Sequence, residues 1–338
     1  MSPDTPTIAD VARTAGVSVA TVSRVLRAGP DVGVGTRARV LETIRDLGYR
    51  PSALARALVS GRSRLLTLLV DDIVNPFYPQ LAKSVEYEAK KNGYSVVICS
   101  TGNSTAETRR STERLLAQGT DGVIHASVGR DEHVLLSLIG DPRRVVFTNR
   151  RPVSPGVSYV VSDNRAGAAH LTGHLLALGH RRIGFIAGPK FASNAVERLD
   201  GFREAMAAFT DTEPLYAPGD LSAESGRRAV LDWIRSGCPP TAIVAVNDAS
   251  ALGALETLAL NHLRVPDDMA VAGFDGTSLC ASSHISLTTV DQHIPRLGRR
   301  SVQILLQQLN GSHEFHPTNE VLLSALLVRG TTIGNSRN

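Results

Sequence analysis

Thr7-Ile8-Ala9-Asp10-Val11-Ala12-Arg13-Thr14-Ala15-Gly16-Val17-Ser18-Val19-Ala20-Thr21-Val22-Ser23-Arg24-Val25-Leu26 carries two helix starts and one turn. Thr7 and Asp10 stand at capping-box spacing, where a hydroxyl and an acid three residues on satisfy the free amides of a helix start. Ile8, Val11, Ala12 and Ala15 then form an apolar stripe, and Gly16 ends the helix. After a short turn Ser18 caps a second helix whose inner face is Val22, Val25 and Leu26. Two helices joined by Ala15-Gly16-Val17 predict a helix-turn-helix, the motif that lays its second helix in a DNA major groove.

On the wheel of that second helix, Ala20 and Arg24 fall opposite the core stripe and Val19 lies at its boundary. An arginine there can bridge guanine O6 and N7, and Ala and Val offer methyl contacts to thymine. Thr21 and Ser23 are placed for phosphates. A third helix is expected after Thr36, with Val40, Leu41, Ile44 and Leu47 inward and Gly48 as its stop. Pro51-Ser52 opens a short helical segment at 53–59, closed by Gly61, and residues 60–64 read as a linker. The charge follows this division. Residues 1–64 carry ten arginines against five acids, whereas the remaining 274 residues hold 26 cations and 27 anions. A basic module on a neutral body suits a polyanion partner for the module alone.

From residue 65 the pattern changes to short β-branched runs alternating with amphipathic helices. Strands are expected at 65–70, 94–100, 122–126, 145–148, 159–162, 183–187, 242–246, 270–274 and 287–290. Helices are expected near 79–92, 104–118, 164–179, 195–209, 224–236, 248–262 and 295–309. Alternation of this kind predicts parallel sheets covered on both faces, and its length favours two α/β lobes over one sheet.

The quoted run resembles the N-terminal signature of the LacI–GalR family of bacterial transcription regulators. The likeness continues through Gly48-Tyr49-Arg50-Pro51 and, more loosely, over nearly the whole chain. It implies an all-α helix-turn-helix domain at 1–50, a hinge helix and linker at 51–64, and a two-lobed α/β domain of the type I periplasmic-binding-protein kind at 65–338. Lobe 1 would take 65–162 and 292–322, and lobe 2 would take 163–291 and 323–338. The implied function is a repressor that binds double-stranded DNA as a homodimer, at a near-palindromic operator with a central C·G step. Leu58 would be the apolar wedge between base steps. With Thr7, Ser18 and Ala55 it joins Val19, Ala20, Thr21, Ser23 and Arg24 in the expected DNA-binding set.

The resemblance also implies an effector site between the lobes. Asn75-Pro76-Phe77-Tyr78 stands where the family sets aromatic rings against its ligand, and Arg198, in Glu197-Arg198-Leu199-Asp200-Gly201-Phe202, where its ligand-binding arginine lies. Asn247 and Asp275, each ending a strand, match two further polar positions. Asn149 departs from the family's frequent Asp, and Leu221 stands where some members stack an aromatic ring. Asp, Asn and Arg together supply the paired donors and acceptors that vicinal hydroxyls need, so a sugar-like effector is expected; its identity, and whether it induces or corepresses, stay open.

Other classes find little support. No apolar run approaches the roughly 18–20 residues that span a bilayer, and Met1-Ser2-Pro3-Asp4-Thr5 has no basic-then-apolar leader, so a cytoplasmic, nucleoid-associated protein is expected. Cys99, Cys238 and Cys280 show no metal spacing and read as free buried thiols. Phosphate-loop, dinucleotide, nucleophile-elbow and zincin motifs are all missing, so no enzyme, cofactor or metal site is expected. His170 and His174 share a helix but have no convincing third ligand.

Overall fold

The capping box forms as its spacing predicts. Thr7 Oγ1 accepts from the Asp10 amide at 3.3 Å, the Asp10 carboxylate accepts from the Thr7 amide at 3.0 Å, and α1 (Ile8–Ala15) follows. The computed structural model describes residues 6–26, 31–49, 62–127, 129, 131–311 and 314–333. Within it the chain divides into two compact units between Ser63 and Arg64.

The first unit packs α1, α2 (Val19–Leu26) and α3 (Val34–Asp46) around Val11, Ala12, Ala15, Val22, Val25 and Val40. Two details differ from expectation. Helix α3 starts at Val34 with Gly33 as its cap, ahead of Thr36. Leu41 is 41% exposed, and Thr43 is buried on the inner face instead. Thr43 tolerates burial because its hydroxyl donates to the Arg39 carbonyl at 2.9 Å, within its own helix. The segment expected as a hinge helix lies outside the described residues.

The second unit holds two six-stranded sheets. In the first, β11 (Asn319–Leu322), β5 (Ser158–Ser162), β4 (Val145–Thr148), β3 (Gly122–His125), β1 (Leu65–Val70) and β2 (Ser95–Ser100) lie in that order, all parallel. One face is covered by α4 (Phe77–Lys91) and α11 (Ile294–Asn310) over Leu66, Leu68, Ile124 and Val146. The other is covered by α5 (Thr105–Ala117) and α6 (Glu132–Ile139) over Leu69, Val123, Val145 and Phe147.

The second sheet runs β12 (Ala325–Leu327), β10 (Thr288–Asp291), β9 (Ala270–Asp275), β8 (Ala242–Ala245), β6 (Arg182–Ile186) and β7 (Glu213–Ala217), with only β12 antiparallel. Helices α7 (Asn164–Ala177) and α8 (Ser193–Ala207) cover one face, and α9 (Ala223–Arg235) and α10 (Asp248–Leu260) the other. Burial on both faces explains why these strands read as apolar runs rather than alternating ones.

The chain passes between the sheets at Asp163, at Gln292–His293 and at Leu323–Ser324. The edge strands β7, β11 and β12, helix α6 and the final turn α12 (Gly330–Ile333) carry no expectation from the sequence. The thiols are free but not uniformly buried: Cys280 is buried, Cys99 half-buried and Cys238 exposed. Among the described residues no helix is long and apolar enough to cross a membrane.

Candidate functional site

Parallel strands end where their helices begin, and those ends are where an open α/β sheet presents ligand-binding groups. Here residues that follow β1 and β4 in one lobe meet residues that follow β6, β7 and β8 and the last residue of β9 in the other. All seven expected effector residues (Phe77, Tyr78, Asn149, Arg198, Leu221, Asn247 and Asp275) line a single pocket there, together with Asn75, Arg150 and Asn194. Its volume is about 20 Å³, room for roughly one water molecule, so the lobes are closed upon it.

Helix α8 delivers Arg198, whose guanidinium is 2% exposed. It donates to Asn164 Oδ1 at 3.0 Å and to the Val246 carbonyl at 2.7 Å, lies 3.5 Å from Asp275 Oδ1, and stacks 3.8 Å over the Phe274 ring. Its Nη2 has no hydrogen-bond partner among the described residues. A buried donor left over on a fully positioned fork still has a hydrogen bond to make.

Asp275 faces it from the end of β9. Gln292 Nε2 donates to its Oδ1 at 2.6 Å. Burial pushes its carboxyl up to about 7, against the pull of Arg198 and with the repulsion of Asp248 adding to the rise. The native state therefore holds a proton between about pH 4 and 7 that the unfolded chain has released. The contribution of Asp275 to stability therefore falls as pH rises through that window and levels off above it. Asp275→Asn should flatten this dependence, gaining several degrees of melting temperature relative to the parent between pH 5 and 8. Parallel melting curves for parent and variant across that range would count against a buried, proton-holding Asp275.

Three pocket residues adopt backbone conformations that favour glycine: Asn149 (φ +66°), Leu221 (φ +74°) and Asp275 (φ +142°). Strain of this kind persists where surrounding contacts over-determine it. Asn247 uses its amide on the scaffold, capping α10 through Ser250 N at 2.9 Å and donating to the Leu221 carbonyl at 2.9 Å. It thereby holds Leu221 in place. Phe77 and Tyr78 meet edge to face with centroids 5.3 Å apart, and burial pushes the Tyr78 phenol well above its ordinary value.

Sequence reasoning missed Arg150, Asn194, Asn75, Glu197 and Gln292. Arg150 is fully buried and donates to Asp71 Oδ2 at 2.6 Å, the Ser127 carbonyl at 2.8 Å and Asn103 Oδ1 at 3.1 Å. Its signal is a polar pair, Asn149-Arg150, directly after the apolar strand β4. Asn75 Oδ1 accepts from the Phe77 amide at 3.0 Å, whereas Asn194 and Glu197 join the lobes. Asn194 Nδ2 donates to Asn149 Oδ1 at 3.3 Å, the Arg151 amide donates to Ser193 Oγ at 2.7 Å, and Arg151 Nε donates to Glu197 Oε1 at 3.2 Å. Glu197 also accepts from Asn164 Nδ2 at 2.9 Å, and Asn164 orients Arg198. One hydrogen-bonded chain thus runs from lobe 1 to the pocket arginine.

In the N-terminal unit, Val19, Ala20 and Arg24 are exposed on one face of α2, as are Thr7 and Ser18 beside it. Thr21 and Ser23 are half-buried. Ser18 Oγ accepts from the Thr21 amide at 3.1 Å, so it works as the α2 cap. Ala55 and Leu58 lie outside the described residues.

The family profile for bacterial regulatory proteins of the lacI family matches residues 7–52, and that for periplasmic binding protein-like domains matches 172–332. The ribose operon repressor of Halalkalibacterium halodurans is 34% identical over 336 residues, spanning 98% of this chain and 99% of the relative. This chain belongs to the LacI family. Like its relatives, this LacI-family protein is a transcription regulator rather than an enzyme. Its fold is shared with the Lac repressor dimer bound to operator and an anti-inducer, at TM-score 0.86 and 30% identity over 97% of this chain and 99% of that one. A CelR–cellobiose complex is similar at TM-score 0.72 and 32% identity, over 96% and 99% of the two chains.

Proposed function

We propose that this regulator represses transcription by binding a near-palindromic operator as a homodimer, and that a small sugar-like effector held between its lobes sets operator affinity. The observation that carries this reading is the convergence of side chains from both lobes on one closed pocket, with the Arg198 fork left one donor short of saturation. Residues 1–50 would read the DNA, 51–64 would form the hinge, and 65–338 would bind effector and partner. Lobe 1 comprises 65–162 and 292–322, and lobe 2 comprises 163–291 and 323–338. Val19, Ala20 and Arg24 would contact base edges, with Thr7, Ser18, Thr21, Ser23 and Ala55 on the backbone. Leu58 from each subunit would open a central C·G step, and the protein would work at the nucleoid of a bacterial cytoplasm. The seven pocket residues from Phe77 to Asp275 would meet the effector directly or shape its site.

Coupling follows from linkage. An effector that favours the closed lobes changes operator affinity, and operator must change effector affinity by the same factor, roughly 5- to 150-fold for a coupling of about 1–3 kcal/mol. Selection from randomised duplex DNA, with and without a panel of sugars and nucleosides, tests both halves. The expected result is a palindrome with a central CG whose yield one ligand shifts. No enriched site under any condition would overturn the reading. Arg24→Ala should cost about 1–3 kcal/mol on the selected site and relax preference at one position; an equal loss on random DNA would remove Arg24 from readout.

A further inference from the structure

Two adjacent acids stand at the start of α6, Asp131 and Glu132, each 5% exposed and neither part of the pocket lining. Burying a carboxylate is costly unless its oxygens are satisfied, and here two loops satisfy them. Glu132 Oε2 accepts from the Val153 amide at 2.7 Å and Oε1 from the Ser154 amide at 2.5 Å. Asp131 Oδ1 accepts from the Gly129 amide at 3.1 Å, and its Oδ2 from Thr108 Oγ1 at 2.6 Å and from His125 Nε2 at 3.2 Å. His125 is fully buried, and its Nδ1 accepts from the Ser127 amide at 3.2 Å, so its ring proton lies on Nε2, toward Asp131.

Both loops held in this way touch lobe 2. A Cβ on Gly129 would stand 2.9 Å from the Phe191 ring, and the Ser127 carbonyl accepts from Arg150 Nη1 at 2.8 Å. The loop after β4 carries Arg151, which bonds Ser193 and Glu197 of α8. From Arg151 to Ser154 no amide reaches a backbone carbonyl: Arg151 donates to Ser193 Oγ, Pro152 has no proton, and Val153 and Ser154 donate to Glu132. We propose that Asp131 and Glu132 form a clamp inside lobe 1 that positions its contacts with lobe 2, with Glu132 as the positioning residue for closure. Its carboxylate fixes one side of a turn whose other side is bonded to α8. Two consecutive amides on one carboxylate make two charge-assisted bonds, and Gln has a single oxygen for both. Glu132→Gln therefore keeps the volume, loses the charge and leaves one amide facing an NH2 group. The turn is then released, and Arg151 with it. The inference holds whichever molecule the pocket takes.

The test is hydrogen–deuterium exchange of the full-length protein without ligand, read by mass spectrometry, with the parent and Glu132→Gln side by side. Peptides covering 150–156 should exchange at least about threefold faster in the variant, and so should the lobe 2 peptides covering 189–199. Peptides covering 248–260, on the opposite face of the second sheet, should not change. The response at 189–199 is what a purely structural role would not give, because those residues belong to the other lobe. Acceleration confined to lobe 1, or none at all, overturns the clamp. Ser193→Ala separates cause from consequence. It removes the acceptor that lobe 2 offers to the Arg151 amide, yet Val153 and Ser154 should stay as protected as in the parent, because Glu132 still holds them. Loss of protection at 153–156 in Ser193→Ala would mean that the lobe contact holds the loop, and would overturn the proposal. Ser193 is half-buried and its substitution mild, so this variant decides the matter even where Glu132→Gln does not fold.

Discussion

Replacing Arg198 should silence the effector response while leaving operator binding intact. The guanidinium is the one cation that α8 puts into the pocket, held from three sides by Asn164, Val246 and Asp275, with Nη2 unpartnered. A charge-assisted hydrogen bond contributes about 1.5–3 kcal/mol, so losing the one free donor should weaken effector binding roughly 10- to 150-fold. Removing one member of a buried ion pair ordinarily costs stability as well. Here the damage is limited, because Asp275, already pushed up to about 7, takes a proton once its partner is gone. Arg198→Lys makes the sharper test. It keeps the charge and most of the volume but cannot serve Asn164, Val246 and a ligand in one plane. Operator retention measured against increasing effector should be flat for both Arg198→Ala and Arg198→Lys, at a plateau equal to the parent's without effector. A normal response curve in either would take Arg198 out of the pocket's function.

How much of this was legible beforehand depended on whether a feature is local. The helix-turn-helix was, because capping box, stripe and turn all lie within residues 7–26 and agree with one another. Leu41 shows the limit. Its spacing fits the inner stripe, but three helices enclose too small a core to bury every apolar residue on that face, and Thr43 takes the place nearer the centre. Strand β7 was missed because it is a half-exposed edge strand carrying Pro214, which a central strand would not tolerate. In the pocket, the family resemblance marked Arg198, Asn149, Asn247 and Asp275, the last two also by their place at strand ends. Arg150 and Asp71 stayed hidden because they are far apart in sequence and become a pair only when β1 and β4 enter one sheet.

The cross-lobe contacts were invisible for the same reason, and they change how closure is understood. Glu197 adjoins Arg198 in sequence but points the other way, to Arg151 of lobe 1 and to Asn164 at the crossing between sheets. An effector held by Arg198, as proposed, and the lobe contact made by Glu197 therefore depend on the same turn of α8. A displacement of that turn by either is felt by the other, which is what a coupling between sites requires. Half-exposed ion pairs such as Arg151–Glu197 contribute little alone. Their value here is geometric, since they tie Arg151 of lobe 1 to α8 of lobe 2.

That shared turn is anchored by a glycine, and Gly201→Ala should be strongly destabilising and reach the pocket as well. Gly201 lies one turn beyond Arg198, where α8 crosses α7 so closely that a Cβ would stand 2.1 Å from the Arg165 carbonyl oxygen and 3.0 Å from the Ala169 amide. Both are backbone atoms, so no rotamer change relieves the clash and the helices must separate. Overpacking typically costs about 1–3 kcal/mol, and a backbone collision belongs at or above the top of that range. Separation also pulls Arg198 away from Asn164, which sits at the start of α7. The variant should therefore melt roughly 5–10 °C lower and bind effector more weakly, the two losses tracking each other. Gly173 on the same helix pair provides the control. It has open space around it and ordinary helical backbone. Gly173→Ala should leave effector affinity unchanged and raise stability by up to about 1 kcal/mol through helix propensity alone. If thermal melts show Gly201→Ala no worse than Gly173→Ala, the close crossing of α7 and α8 does not position Arg198, and the coupling through this turn falls with it.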